Sequence, residues 1–186
     1  MVIARMGYKN AVALVYTAAL FMQVMDSTII NVALPTLAEE FDVDATAMDW
    51  TVLSFTLALA TMTAAAGWFG DRFGLRPMFL SCLVGFTVAS ALCGASQSLE
   101  QLIAARAVQG AFAGMMIPIG AALVFRAFPL SERAEASRKI ITVVVIAPAV
   151  GPIIGGILLE FTSWRWIFLV NVPIGLGSLA LASSWL

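Results

Sequence analysis

Phe21–Pro35 reads FMQVMDSTIINVALP, and its sixth residue decides how the chain is read. Asp26 stands inside an apolar run long enough to cross a bilayer core of roughly 30 Å, which takes about 20 residues of helix. A charge at that depth costs roughly 2.5–3.5 kcal/mol on insertion scales. A partner must offset the cost, or the carboxyl must be neutral part of the time.

Working outward, the composition supports a membrane setting. Of 186 residues, 61% are hydrophobic and 11% charged, and mean hydropathy is +0.98. A soluble domain carries about 25% charged residues. A net charge of −1 offers no bulk attraction to nucleic acid. The chain contains no histidine, the commonest metal ligand and general base. With no metal-ligand cluster and no nucleophile–base set either, the sequence argues against an enzyme and calls for no cofactor. Cys82 and Cys93 share one apolar run, about 16 Å apart on a helix, so they are packing residues and not a disulfide.

Six apolar runs have spanning length, at about 11–34, 48–69, 78–95, 101–125, 139–160 and 166–186. They predict one all-α integral membrane domain over residues 1–186. The breaks are short and polar: PTLAEEFDVDAT, GDRFGLRP, SQSLE, FPLSERAEASRK and FTSWR. Basic residues set the orientation. With the N-terminus inside, Arg5, Lys9, Arg72, Arg76, Arg126, Arg133, Arg138 and Lys139 are cytoplasmic, Arg165 alone is outside, and Arg106 lies within the fourth span. Both termini are then cytoplasmic, in a multi-pass protein of the cell (inner) membrane. Trp50, Trp164 and Trp166 mark outer ends, Trp68 and Trp185 inner ones.

Helical rise places Asp26 about 23 Å from the inner face and roughly 7 Å below the outer boundary. Arg106 enters its span from outside and lies roughly 8–10 Å below the same boundary. The first and fourth spans are the first members of two successive three-helix groups, which inverted repeats place across a shared cavity. An Asp26–Arg106 pair, direct or through water, would offset much of both desolvation costs. Burial and a neighbouring arginine pull the protonation of Asp26 in opposite senses, the balance a proton switch requires. The plainer alternative is an ion pair that only fixes helix packing.

In the fourth span Arg106, Gln109, Gly110 and Ala113 share a stripe, and Gly110 with Gly114 forms a small-xxx-small pair. In the fifth, Ala147, Gly151 and Gly155 repeat every four residues while Pro148 and Pro152 remove backbone donors. Between the second and third spans, Gly70 and Gly74 permit a reversal beside Asp71 and Arg72. That segment reads either as a solvated turn or as a latch in which Asp71 meets Arg126.

These pieces resemble the major facilitator superfamily. Gly67-Trp-Phe-Gly70-Asp71-Arg72-Phe-Gly74-Leu-Arg76 is similar to its loop 2–3 signature, G-x-L-A-D-R-x-G-R-K, departing at Phe69, Gly70, Leu75 and Arg76. Arg106-Ala-Val-Gln109-Gly110 resembles the helix 4 signature R-x-x-Q-G, linked in the family to proton coupling. Gly151-Pro152-Ile-Ile-Gly155-Gly156 resembles the helix 5 antiporter signature, with Ala147 in place of its first glycine. MDSTIINVALP and WRWIFLVNVPIG resemble segments of helices 1 and 6 in the drug:H+ antiporter family with fourteen transmembrane helices.

The resemblance implies an N-terminal six-helix half built as two three-helix inverted repeats. It also implies proton-coupled export of amphipathic or cationic compounds by alternating access. Asp26 is the expected coupling carboxylate and Arg106 tunes it. Met22, Met25, Asn31, Gln109 and Gly110 are expected to line the cavity, the methionines as adaptable apolar contacts. Gly67, Asp71, Arg72, Gly74 and Arg76 are the expected gating loop. Expected partners are protons, such compounds, the bilayer, and a second six-helix half or another copy of the chain. Two alternatives stay open: a non-transporting membrane assembly or regulatory subunit, and an importer of small organic ions on the same fold.

Overall fold

The computed structural model describes residues 7–185, the last two by backbone only. Arg5 and the side chain of Trp185 lie outside it. The described chain is helical almost throughout: α1 (Tyr8–Phe41), α2 (Ala45–Phe73), α3 (Leu75–Ala95), α4 (Leu99–Ala127), α5 (Leu130–Phe161), α6 (Arg165–Leu169) and α7 (Asn171–Trp185). α6 and α7 form one span, interrupted at Val170. Among the described residues, six spans are long and apolar enough to cross a membrane, α6 and α7 together counting as one.

Several helices outrun the apolar runs that announce them. α1 continues through Pro35 to Phe41. It ends where Asp42 turns left-handed (φ 51°), with Val43 N–H on the Ala38 carbonyl and Asp42 N–H on that of Glu39. This two-bond finish satisfies carbonyls that a frayed end would leave open. The larger difference is at α5, which begins at Leu130 and absorbs most of the segment expected to break the chain. That segment is polar but rich in good helix formers. Glu135 and Lys139 pair one turn apart at 2.7 Å, and Lys9 of α1 pairs with Glu132. Polarity there marks departure from hydrocarbon, not the end of a helix.

α2 passes into α3 at Gly74, whose φ of 87° admits glycine at little cost. Gly70, expected to share the reversal, instead lies inside α2 and packs close to Leu75.

α2 packs on α4, and α5 packs on α1. α3 packs on α4, and the sixth span packs on α1. α3 and the sixth span also meet each other, as do α1 and α4. Exchanging the first three helices for the last three reproduces this pattern, as an inverted repeat requires.

Two apolar clusters fill the interior. One gathers Val15, Met22, Phe55, Phe79, Phe86, Met116 and Ile119. The other gathers Ile29, Leu37, Met48, Cys93, Leu102, Ile167 and Phe168. Between the two clusters α1, α2, α3, α4 and the sixth span each contribute buried polar residues: Asp26, Thr51, Ser90, Arg106 and Gln109, and Asn171. The core is therefore two apolar compartments separated by a polar layer.

Of the tryptophans expected at helix ends, Trp50, Trp68 and Trp166 are exposed. Trp164 is not: it is buried edge-on against Phe41 and Phe168.

Candidate functional site: a sealed carboxylate–guanidinium layer

Each member of the layer is delivered by helical periodicity. On α1 the buried stripe runs Met22, Met25, Asp26, Ile29, Ile30. On α4 it runs Leu102, Arg106, Gln109, Gly110, Ala113. The carboxylate thus sits on a packing face and takes its hydration from other helices.

Arg106 Nη1 donates to Asp26 Oδ2 at 2.6 Å and to Gln109 Oε1 at 2.8 Å. Its Nε donates to the Thr51 carbonyl of α2 at 3.3 Å. The guanidinium carbon lies 4.1 Å from the Phe55 ring centre, close enough for the ring face to attract the cation. Asp26 Oδ1 accepts from Gln109 Nε2 at 3.0 Å and from Asn171 Nδ2 at 2.6 Å. Ser90 Oγ accepts from both amides, at 3.1 and 3.0 Å, and donates to the Phe168 carbonyl at 2.9 Å. Asp26 and Arg106 are each 0% exposed. Ion desolvation costs several kcal/mol per charge, offset only where geometry and extra hydrogen bonds are good. Three donors on the carboxylate, with three acceptors and a ring on the guanidinium, meet that condition.

The structure brings together Asp26, Arg106 and Gln109. It does not bring in the rest as the sequence suggested. Met22 and Met25 are 0% exposed and packed in the bundle interior, and Gly110 is pressed against α2, so none of them lines an open cavity. Asp26 and Gln109 are equally sealed in this six-helix arrangement. Asn31 is exposed, because five residues of helix turn it far from the Asp26 face.

The latch expected between Asp71 and Arg126 is not made. Both side chains are exposed, and no ion pair joins them among the described residues. Asp71 occupies the exposed face of the last turn of α2. Arg126 instead borders a depression of about 350 Å³ with Arg76, Tyr8 and Gly74. Gly67 and Arg72 are exposed as well. On α5, Gly151 and Gly155 face α1, whereas Pro152 is exposed and Gly156 has open space beside it.

Sequence reasoning missed Ser90 and Asn171, together with the Thr51 carbonyl and the Phe55 ring. Asn171 carried a usable signal: it is a polar residue within an apolar spanning run, the logic that singled out Asp26. Ser90 carried less, since a serine can bond its own helix; only the packing of α3 against the sixth span shows where its hydroxyl goes.

Residues 16–186 match the family profile of the Major Facilitator Superfamily. The chain belongs to that superfamily. It is 39% identical over 166 residues to a Yersinia enterocolitica protein named "Putative multidrug resistance protein MdtD", covering 89% of this chain and 35% of that protein. It is 40% identical over 157 residues to the protein of the same name from Serratia proteamaculans, covering 84% of this chain and 33% of that one. The chain thus spans about a third of the length of the curated relatives it matches. Among solved structures, the proton:xylose symporter XylE bound to 6-bromo-6-deoxy-D-glucose superposes with a TM-score of 0.82 at 15% identity, over 95% of this chain and 44% of that one. A bacterial homolog of the human lysosomal transporter Spinster, inward-facing and unoccupied, gives 0.70 at 19% identity, over 96% of this chain and 42% of that one. At those identities the superpositions establish the fold alone: a multi-pass membrane protein of major facilitator architecture.

Proposed function

We propose that these six spans are the N-terminal half of a proton-coupled multidrug exporter of the cell membrane, with both ends cytoplasmic. The observation that carries this reading is the Asp26–Arg106 pair, held 2.6 Å apart in the polar layer between two apolar compartments. An ionisable residue within a span is a functional candidate by default. The drug-resistance names of the relatives, matched over most of this chain, support the substrate class, and the basic residues support the orientation.

In this mechanism a proton reaching Asp26 from outside neutralises the carboxylate. Its attraction to Arg106 weakens, and the guanidinium redistributes toward Gln109, the Thr51 carbonyl and Phe55. Helices α1 and α4, which that attraction ties, are then free to rearrange. With the layer open inward, release of the proton would leave a carboxylate that holds an amphipathic cation. Carriage of that cation outward, where the next proton displaces it, would complete the exchange. A second six-helix half would supply the opposite cavity wall. The exposed apolar side chains of α2 and α5, such as Leu57, Val145 and Ile153, suit lipid or that half.

The full-length protein in proteoliposomes, loaded with a lipophilic cationic dye, tests this. Asp26→Asn keeps the size, removes the titrating charge and replaces one of the two accepting oxygens by a donating NH2 group. It is expected to abolish dye flux driven by a pH gradient while the protein still folds. The completeness of burial favours one rival, a purely structural ion pair. In that case Asp26→Asn and Arg106→Gln each destabilise, by about 3–5 kcal/mol for an uncompensated buried charge. The double variant then recovers both stability and gradient-driven flux. Recovery of driven flux without Asp26 would end the proton-switch reading.

A further inference from the structure

Among the described residues, two buried side-chain polar atoms have no hydrogen-bond partner, and one of them, Asn171 Oδ1, lies in this layer. Asn171 is 0% exposed. Its Nδ2 is fully used, on Asp26 Oδ1 and Ser90 Oγ, while its carbonyl oxygen is idle. A buried unsatisfied acceptor is costly. Here the cost accompanies one protonation state of the neighbour: an ionised carboxylate accepts only, so it must face the amide N–H.

We propose that Asn171 is a positioning residue that reads the proton on Asp26. Its amide donates to the carboxylate when Asp26 is charged and turns by half a rotation to accept from the acid O–H when Asp26 is protonated. The inference rests on the reading that Asp26 takes up a proton. Turning the amide frees the idle carbonyl but leaves both N–H groups of Nδ2 without the partners they now have. The turn is therefore uphill while Asp26 is charged, and the acid O–H that the turned carbonyl accepts is what offsets it.

Ser90 extends the consequence to the sixth span. Its single hydroxyl proton goes to the Phe168 carbonyl in α6. With the amide turned, Asn171 Oδ1 faces Ser90 Oγ and competes for that proton. The tie from α3 to α6 loosens beside the interruption at Val170, where Pro173 offers no N–H to the Leu169 carbonyl. Arg106 of α4 is the charged group bonded to Asp26, and Cys93 of α3 reaches Gln109. Among the described residues, α2, α5, α6 and α7 bring no charged group into hydrogen bond with the carboxylate.

The test is infrared difference spectroscopy of the full-length protein in lipid, across about pH 5 to 9. Loss in Asp26→Asn assigns the carboxyl band. Asparagine carrying a ¹³C side-chain carbonyl, with loss in Asn171→Ser or in Asn171→Gln if the first fails to fold, assigns the amide. The amide carbonyl band is expected to fall in frequency with the same midpoint as the carboxyl band appears, and to stay fixed in Asp26→Asn. An Asp26 that titrates beside a motionless Asn171 band overturns this inference and leaves the proton-coupled reading standing. An Asp26 that never titrates across the range removes both.

Discussion

Two glycine seams, α4 on α2 and α5 on α1, are built differently. Where α4 meets α2, a Cβ on Gly110 would lie 2.2 Å from the Phe55 carbonyl oxygen, and one on Gly114 2.2 Å from that of Leu59. Backbone meets backbone, and Thr63 of α2 adds a hydrogen bond to the Gly114 carbonyl at 3.1 Å. Where α5 meets α1, a Cβ on Gly151 would first meet the Thr28 hydroxyl at 2.2 Å, and one on Gly155 the Ile29 side chain at 2.9 Å. The first seam has no slack, since carbonyls of a helix move only with the helix. The second meets side chains first: a hydroxyl that already bonds the Val24 and Met25 carbonyls, and a buried isoleucine. These can shift by less than a free chain, but without moving the helix. The rigid seam also carries Phe55 and the Thr51 carbonyl to Arg106; the yielding one lies behind Asp26.

The largest effect that would sharpen this contrast is at the rigid seam. Gly110→Ala or Gly114→Ala should force α2 off α4 and lower stability by about 3 kcal/mol, the upper end for overpacking. Thermal unfolding in detergent measures it, and a loss under about 1 kcal/mol would show that the seam has slack after all. A smaller effect belongs to the yielding seam. Gly151→Ala should cost about 1–2 kcal/mol, and adding Thr28→Ala should return part of it by removing the hydroxyl in the way. No recovery in the double variant would place the obstruction on the backbone, with the Met25 carbonyl at 3.1 Å the next atom met. The smallest effect is expected where glycine faces open space. Gly156→Ala should be neutral or stabilising by up to about 1 kcal/mol, the helix preference of alanine over glycine. A strong loss of folding there would mean that a partner packs on that face, and a loss of flux alone that the position serves conformational change.

Sequence pattern treated the two seams as equals. Small residues every four positions are legible on α4 and α5 alike, and each does face a neighbour closely. Whether the facing atom is a carbonyl or a hydroxyl depends on the register of a second helix, which no single stretch contains. The α5 boundary is only partly such a case, since Lys9 comes from a second helix while the helix formers and the Glu135–Lys139 spacing lie in the segment itself. A polar run signals the edge of hydrocarbon, whereas helix continuation there rests on Glu135–Lys139 and on Lys9 reaching across from α1.

By itself the sequence determined what adds up along one helix: six spanning lengths, the stripe of Arg106, Gln109, Gly110 and Ala113 on α4, and the similar depths of Asp26 and Arg106. Rise per residue is constant, so depth in a bilayer is close to a sum over local sequence. Tertiary structure alone decided what depends on azimuth and on the choice of neighbour. It set Asn171 and Ser90 beside Asp26, sealed Met22 and Met25, turned Asn31 outward, and kept Asp71 from Arg126. Those outcomes follow from helix packing as a whole, because rotating any one helix about its axis changes every lateral contact and leaves every depth the same.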